Sequence, residues 1–133
     1  MAISRNKHRG FTLIELMIVI SIILILIAVA VPNYRASVVH ARESVLRQNL
    51  FTLRSVISQY TLDKEKAPQS LDDVVQAGYI KQIPNDPMTS KPDWTVEQED
   101  STIMSVDQED SGIDDVHSSS EAISSDGTAY NTW

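Results

Sequence analysis

Glu15 is an acidic residue inside the most apolar stretch of the chain. Between Phe11 and Val31 there are 21 residues, and only Thr12, Glu15 and Ser21 are polar. A carboxylate in hydrocarbon costs on the order of 3 kcal/mol on insertion scales, so an ionisable residue there usually has a partner of opposite charge. The stretch itself contains no Lys, Arg or His. The partner of Glu15 must therefore come from elsewhere, unless the side chain reaches the lipid headgroups.

A second region that could do chemistry is the acidic carboxy-terminal third. Residues 93–133 contain eleven acids and neither Lys nor Arg, in a chain whose formal charge is −7. This distribution argues against nucleic-acid binding, which needs Lys and Arg on one face. It indicates either a solvated surface or a cation site.

Residues for catalysis are sparse and scattered. The chain has no cysteine, so neither a disulfide nor a thiolate metal site is available. The three histidines, His8, His40 and His117, lie far apart in sequence. They form no recognisable catalytic motif with a serine and an acid, and we expect a protein that is not an enzyme.

The apolar stretch is predicted to form a membrane-spanning helix. Its 21 residues would extend about 31 Å, which matches the hydrocarbon thickness of a bilayer. Residues 1–10 carry three basic side chains and no acid, so the amino-terminal end is expected to stay in the cytoplasm. The alternative, an ordinary cleaved signal peptide, would have a shorter apolar region followed by a small-residue cleavage site.

An amphipathic helix is predicted over residues 33–60. Its apolar residues are spaced 7, 4, 3, 4 and 3 apart and fall on one stripe: Val39, Leu46, Leu50, Leu53, Ile57 and Tyr60. We interpret this stripe as core packing rather than a coiled-coil seam. Because proline removes a backbone donor and clashes with the preceding turn, a kink or break is expected between Ala28 and Pro32.

Residues 61–133 are predicted to form a small region of mixed structure. Ser70 and Asp73 make a capping pair for a short helix, and Gly78 ends it. Three short segments, DWTVEQ, TIMSV and GIDDVHS, predict three antiparallel strands. A long helix packed on a small antiparallel sheet gives an α+β fold.

The stretch RGFTLIELMIVISIILILIAVAVPNY resembles the signature of type IV pilins and type II secretion pseudopilins. That signature is a short basic leader ending in glycine, then phenylalanine, with glutamate and proline at the fifth and twenty-second mature positions. Processing between Gly10 and Phe11 places Glu15 and Pro32 at those two positions. The segments LDDVVQAGYIKQIPNDP and DGTAYNTW fit the layout of major pseudopilins more loosely.

The resemblance implies a pilin-like fold and a defined processing pathway. Residues 1–10 would be a leader that prepilin peptidase removes, after which the same enzyme N-methylates Phe11. Residues 11–32 would be the transmembrane and polymerisation helix. Glu15 would then meet the free amine of Phe11 in a neighbouring subunit of a helical filament. Two alternatives are a pair between Glu15 and the amine of its own chain, and a glutamate that only reaches the headgroups.

The resemblance also implies a calcium site near the carboxy-terminal end. Oxygen-rich loops suit Ca²⁺, which takes six to eight hard ligands. The matching stretch DDVHSSSEAISSDG offers Asp114, Asp115, Ser118, Ser120, Glu121, Ser125 and Asp126. It departs from the family pattern at residues 118–120, which are all serine. A solvated acidic turn is the alternative.

The expected function is that of a pseudopilus subunit in type II protein secretion. The resemblance implies an inner-membrane protein with a periplasmic carboxy-terminal region that enters a periplasmic or surface filament. Its partners would be copies of itself, prepilin peptidase, an inner-membrane assembly platform and minor pseudopilins. Two alternatives are a subunit of a type IV pilus and a membrane-anchored monomeric binding module. The lack of cysteine weighs against major type IV pilins that close a carboxy-terminal loop with a disulfide.

Overall fold

The computed structural model describes residues 10–98 and 111–133 of the chain. Helix α1 spans Leu13–Lys64 and helix α2 spans Leu71–Gln76. Strand β1, Thr95–Gln98, and strand β2, Ile113–His117, precede a single turn of 3-10 helix at Tyr130–Thr132. The predicted α+β class is confirmed. The chain divides into two compact units, one ending at Val38 and the other spanning Val39–Trp133.

The first unit is an apolar helix that begins at a side-chain cap. The hydroxyl of Thr12 accepts the main-chain N–H of Glu15 at 3.3 Å, so the TLIE sequence supplies half of a capping box. Every residue from 10 to 37 is exposed. An 18-residue window of α1 has a mean hydropathy of 3.2, so length and composition allow this helix to cross a membrane.

Of the kink or break expected between Ala28 and Pro32, the break does not occur. Helix α1 continues through Pro32, so the chain does not leave helical structure there. A proline removes only one N–H, and a helix can absorb that loss and the ring clash by bending rather than ending. Lys64, rather than residue 60, is the last residue of α1.

The second unit is built on the predicted stripe. Leu46, Leu50, Leu53 and Ile57 are all at most 3 % exposed, whereas Val39 is 41 % exposed. These four leucine and isoleucine side chains join one cluster with residues of the later chain, namely Trp94, Ile113, Val116 and Tyr130. The stripe therefore serves as core packing, as the sequence predicts.

The residues predicted to cap α2 have the expected geometry in the structure. The Asp73 carboxylate accepts the main-chain N–H of Ser70 at 3.0 Å, and Gly78 has a φ of +85°, which favours glycine. Further along, Gly112 allows a close approach, because a Cβ there would lie 2.5 Å from that of Ala67. Bulk at this position would separate the start of β2 from the loop before α2.

The two strands form an antiparallel ribbon. Thr95 pairs with His117 and Glu97 with Asp115, and the register shifts between Glu97 and Gln98. The segments DWTVEQ and GIDDVHS therefore contain strands as predicted. The third predicted strand, TIMSV, lies outside the described residues.

Candidate functional site

Of the residues predicted to act in processing and assembly, Gly10 and Phe11 lie just before α1, Glu15 lies in its first turn and Pro32 lies further along it. Phe11 is 82 % exposed, and Gly10 and Glu15 are also exposed. Glu15 follows the Thr12 cap by one turn and is surrounded in sequence by apolar side chains that are themselves exposed. None of the other described residues of the chain covers this surface. It is chemically suited to lipid or to other apolar helices.

A carboxylate that the sequence analysis missed lies in the core of the second unit. Glu43 is only 5 % exposed. Its oxygens accept the N–H of Ser125 at 2.7 Å, the hydroxyl of Ser125 at 2.6 Å and the hydroxyl of Tyr130 at 2.9 Å. These hydrogen bonds of Glu43 connect α1 to the carboxy-terminal loop.

The electrostatics of Glu43 follow from these hydrogen bonds. The side chain and main chain of Ser125 hold the pKa of Glu43 below its usual value, although burial opposes this. Burial, followed by the hydrogen bond to the Glu43 carboxylate, raises the pKa of Tyr130. The sequence did contain a signal for Glu43, because it continues the stripe of Leu46, Leu50 and Leu53 with a spacing of three.

A second polar connection joins α1 to β2. Arg54 donates to Asp115 at 2.5 Å, to the main-chain oxygen of Val116 at 3.0 Å and to that of Trp133 at 2.8 Å. Partial burial alone would raise the pKa of Asp115. The N–H of Val116 and the guanidinium of Arg54 outweigh it and hold that pKa below its usual value.

The Asp126 carboxylate closes the carboxy-terminal turn. It accepts hydrogen bonds from the side chain of Ser124 and from Thr128, and these lower its pKa to about 2. A guanidinium nitrogen of Arg47 lies 3.5 Å from it, and Arg47 also stacks over the Trp133 ring at 4.3 Å.

The structure does not bring the three aspartates expected to bind calcium to one point. Asp114 is exposed, Asp115 is paired with Arg54, and Asp126 belongs to its own turn, while Glu121 is exposed. Among the described residues, the only three His or acidic side chains whose ligand atoms lie within 4.8 Å of one another are a different set, described below.

The serines of the expected calcium set are also used separately. Ser118 donates to the buried carboxylate of Asp86, and Ser125 donates to Glu43. Ser120 accepts a main-chain N–H from two residues further on at 3.3 Å. Ca²⁺ takes six to eight oxygens around one centre. Since these serines are used in separate contacts, calcium binding by this stretch stays a prediction.

Comparison with known proteins agrees with the features at the start of α1. Residues 5–31 match the prokaryotic N-terminal methylation motif. The chain is 34 % identical over 98 residues to the type II secretion system core protein G of Escherichia coli K12, covering 62 % of this chain and 68 % of that one. The corresponding protein of Aeromonas hydrophila is 31 % identical over 99 residues, covering 62 % and 69 %.

A relative of another kind matches a shorter part of the chain. The type IV major fimbrial protein FimA of Dichelobacter nodosus is 38 % identical over 65 residues, which cover 49 % of this chain and 41 % of that one. No solved structure is significantly similar to the chain. The core protein G matches extend well beyond the methylation motif, so the chain belongs to the family of type II secretion system core protein G.

Proposed function

We propose that this chain is a structural subunit of the pseudopilus fibre of type II protein secretion. Prepilin peptidase cleaves it between Gly10 and Phe11 and N-methylates Phe11, after which the subunit polymerises through α1. Family membership and the match of residues 5–31 support this role. The exposed position of Gly10 and Phe11, ahead of the first helical residue, supports access by a peptidase.

The observation that carries the proposal is the lone acid on an exposed apolar helix. The exposed side chains between Leu13 and Val31 are mostly apolar. Lipid covers them while the subunit is in the membrane, and neighbouring subunits cover them in the fibre. In that surface an unpaired Glu15 carboxylate is costly, and the amine created at Phe11 of a neighbouring copy removes the cost. The charge pair then fixes the register between subunits.

The topology of the proposal follows from charge and length. The basic leader stays in the cytoplasm, residues 11–32 cross the inner membrane once, and the second unit faces the periplasm. Pro32 provides a site where the helix can bend as the subunit passes from membrane to fibre. The partners are other copies, the inner-membrane assembly platform and minor pseudopilins.

The main test replaces Glu15 in two ways. Glu15→Val removes both the charge and the polar side chain opposite Thr12, whereas Glu15→Gln keeps a residue suited to a capping box. We expect both variants to be inserted and cleaved, and both to give no sheared fibre when they are the only subunit. Ser21→Val, a polar-to-apolar change in the same helix, is the matched control and should keep the wild-type fibre yield.

The two replacements separate charge pairing from helix capping. If Glu15→Val gives no fibres and Glu15→Gln gives normal fibres, the role of Glu15 is only to cap the start of α1. Wild-type yield from both would refute the charge pair and leave a glutamate that reaches the headgroups.

The processing step has its own test at Gly10. Gly10→Leu should leave a full-length membrane precursor, because the peptidase requires an uncrowded backbone there, while Gly10→Ala should be processed at least in part. Intact-mass measurement of the purified protein reports both cleavage and the added methyl group. Normal methylated product from Gly10→Leu would contradict the peptidase assignment.

A second candidate function is a subunit of a surface type IV pilus, which the similarity to the Dichelobacter nodosus fimbrial protein favours. Deleting the gene distinguishes the two. Loss of enzyme secretion with normal surface pili supports the pseudopilus, and loss of surface pili with normal secretion supports the pilus. A chain that is never cleaved after Gly10 would instead be a monomeric membrane anchor.

A further inference from the structure

The β1–β2 ribbon carries two acids in an electrostatically unfavourable position. Glu97 and Asp115 are direct partners across the antiparallel pair. Like charges that face each other in this way destabilise a ribbon unless a cation lies between them. His117 follows Asp115 by two residues on β2, and therefore lies on the same face.

The histidine ring is placed beside both carboxylates. The Nε2 atom of His117 lies 3.5 Å from Oε1 of Glu97 and 3.5 Å from Oδ2 of Asp115. One ligand atom from each of the three side chains lies within 4.8 Å of the other two. The side chain of His117 is 17 % exposed and that of Glu97 is 65 % exposed, so a mostly buried imidazole lies beside a mostly exposed carboxylate.

The surrounding contacts orient two of these three groups. Nδ1 of His117 lies 2.6 Å from the main-chain oxygen of Trp133. A carbonyl oxygen can only accept, so Nδ1 carries the proton and the lone pair of a neutral ring is on Nε2, toward the acids. Arg54 occupies Oδ1 of Asp115 and leaves Oδ2 toward the ring. Such outer contacts on a histidine and a carboxylate are typical of protein metal ligands.

We propose that Glu97, Asp115 and His117 bind one divalent transition metal ion, with Zn²⁺ as the best match. An imidazole nitrogen with two carboxylate oxygens suits Zn²⁺, whereas Ca²⁺ prefers oxygen alone. The two carboxylates supply the negative charge that the ion neutralises. Through the Arg54 contact to Asp115, the ion would tie β1 and β2 to α1 in a chain that has no disulfide.

The test titrates the full chain in detergent with ZnCl₂ after removal of metal by a chelator. Calorimetry should show one equivalent of Zn²⁺ per chain, and the same titration with CaCl₂ should show no matching event. Glu97→Gln should weaken Zn²⁺ binding at least about tenfold, because losing a ligand costs no less than losing an outer contact. Asp114→Asn, at the neighbouring exposed acid on β2, is the matched control and should bind Zn²⁺ normally.

Two outcomes would overturn the proposal. The first is the absence of Zn²⁺ binding at 1 mM, which would mean that the three side chains lie close together without holding an ion. The second is binding that Glu97→Gln and His117→Asn both leave unchanged, which would place the ion elsewhere on the chain. Glu97 is mostly exposed and its substitution leaves the core intact, so the test does not depend on His117→Asn folding.

Discussion

The two units of this chain differ in how far their apolar side chains are covered by the rest of the same unit. In the first unit, every residue from 10 to 37 is exposed, so none of these described residues covers the apolar side chains of the others. In the second unit, the stripe from Leu46 to Ile57 is buried, and the described buried polar side chains all have hydrogen-bond partners. The second unit therefore covers its apolar side chains with its own contacts, whereas the apolar surface of the first unit is chemically suited to lipid or to other apolar helices.

The largest change in stability should come from replacing a buried leucine of the second unit, and the same replacement of an exposed leucine in the first unit is its comparison. Leu50 is 2 % exposed and Leu24 is 60 % exposed. Leu50→Ala should destabilise the second unit by about 2–5 kcal/mol through a cavity, while Leu24→Ala should leave its stability unchanged. Both tryptophans, Trp94 and Trp133, lie in the second unit, so urea unfolding of the full chain in detergent can be followed by their fluorescence. An equal loss of stability in the two variants would contradict the difference in burial between the two units.

A smaller effect is expected from the buried carboxylate. Glu43→Ala leaves the Tyr130 hydroxyl and the Ser125 N–H without their acceptor, and should cost about 3 kcal/mol in the same assay. Glu43→Gln keeps one acceptor oxygen and should cost less. A Glu43→Ala variant as stable as the parent would show that water replaces the carboxylate without penalty.

Lowering the pH should reduce the free energy of unfolding of the second unit. Glu43, Asp115 and Asp126 all have lowered pKa values, and that of Asp126 is about 2. A carboxyl group whose pKa is lowered on folding stabilises the protein above its unfolded pKa and loses this contribution as pH falls through the folded value. The urea midpoint should therefore fall progressively below about pH 4, and less steeply in Glu43→Gln. A midpoint that rises on acidification would contradict the hydrogen-bonded carboxylates described above.

The smallest effect should be that of calcium. Because Asp114, Asp115 and Asp126 do not converge, adding 1 mM CaCl₂ to chelator-treated protein should not shift its melting temperature. A rise of several degrees would show that the carboxy-terminal loop rearranges around the ion. It would also revive the calcium site that the family resemblance implies.

Patterns that depend on spacing could be predicted from the sequence. The apolar stretch, the Leu46 to Ile57 stripe, the α2 caps and two of the strands each rest on local periodicity or turn chemistry. The leader and the Phe11 to Pro32 signature rest on residue order alone. Such features do not require knowledge of which distant residues meet.

The polar contacts could not be predicted in the same way. Glu43 was missed because its partners lie more than 80 residues away, at Ser125 and Tyr130. His117 was set aside as one of three scattered histidines, since only the strand register places it beside Glu97. The separate positions of the residues expected to bind calcium could not be predicted either, because Ser125 contacts Glu43 on α1 and Asp126 hydrogen-bonds within its own turn.

The contact between Glu43 and Tyr130 also has a consequence for the order of folding. The two residues are 87 positions apart, so the carboxylate lacks that partner until the intervening chain has been synthesised. Contacts of such long sequence separation form late and slow the folding of a domain. Helix α1 can therefore form before the second unit is closed. The Glu43 contact, which joins α1 to the carboxy-terminal loop, is among the last steps in the folding of that unit.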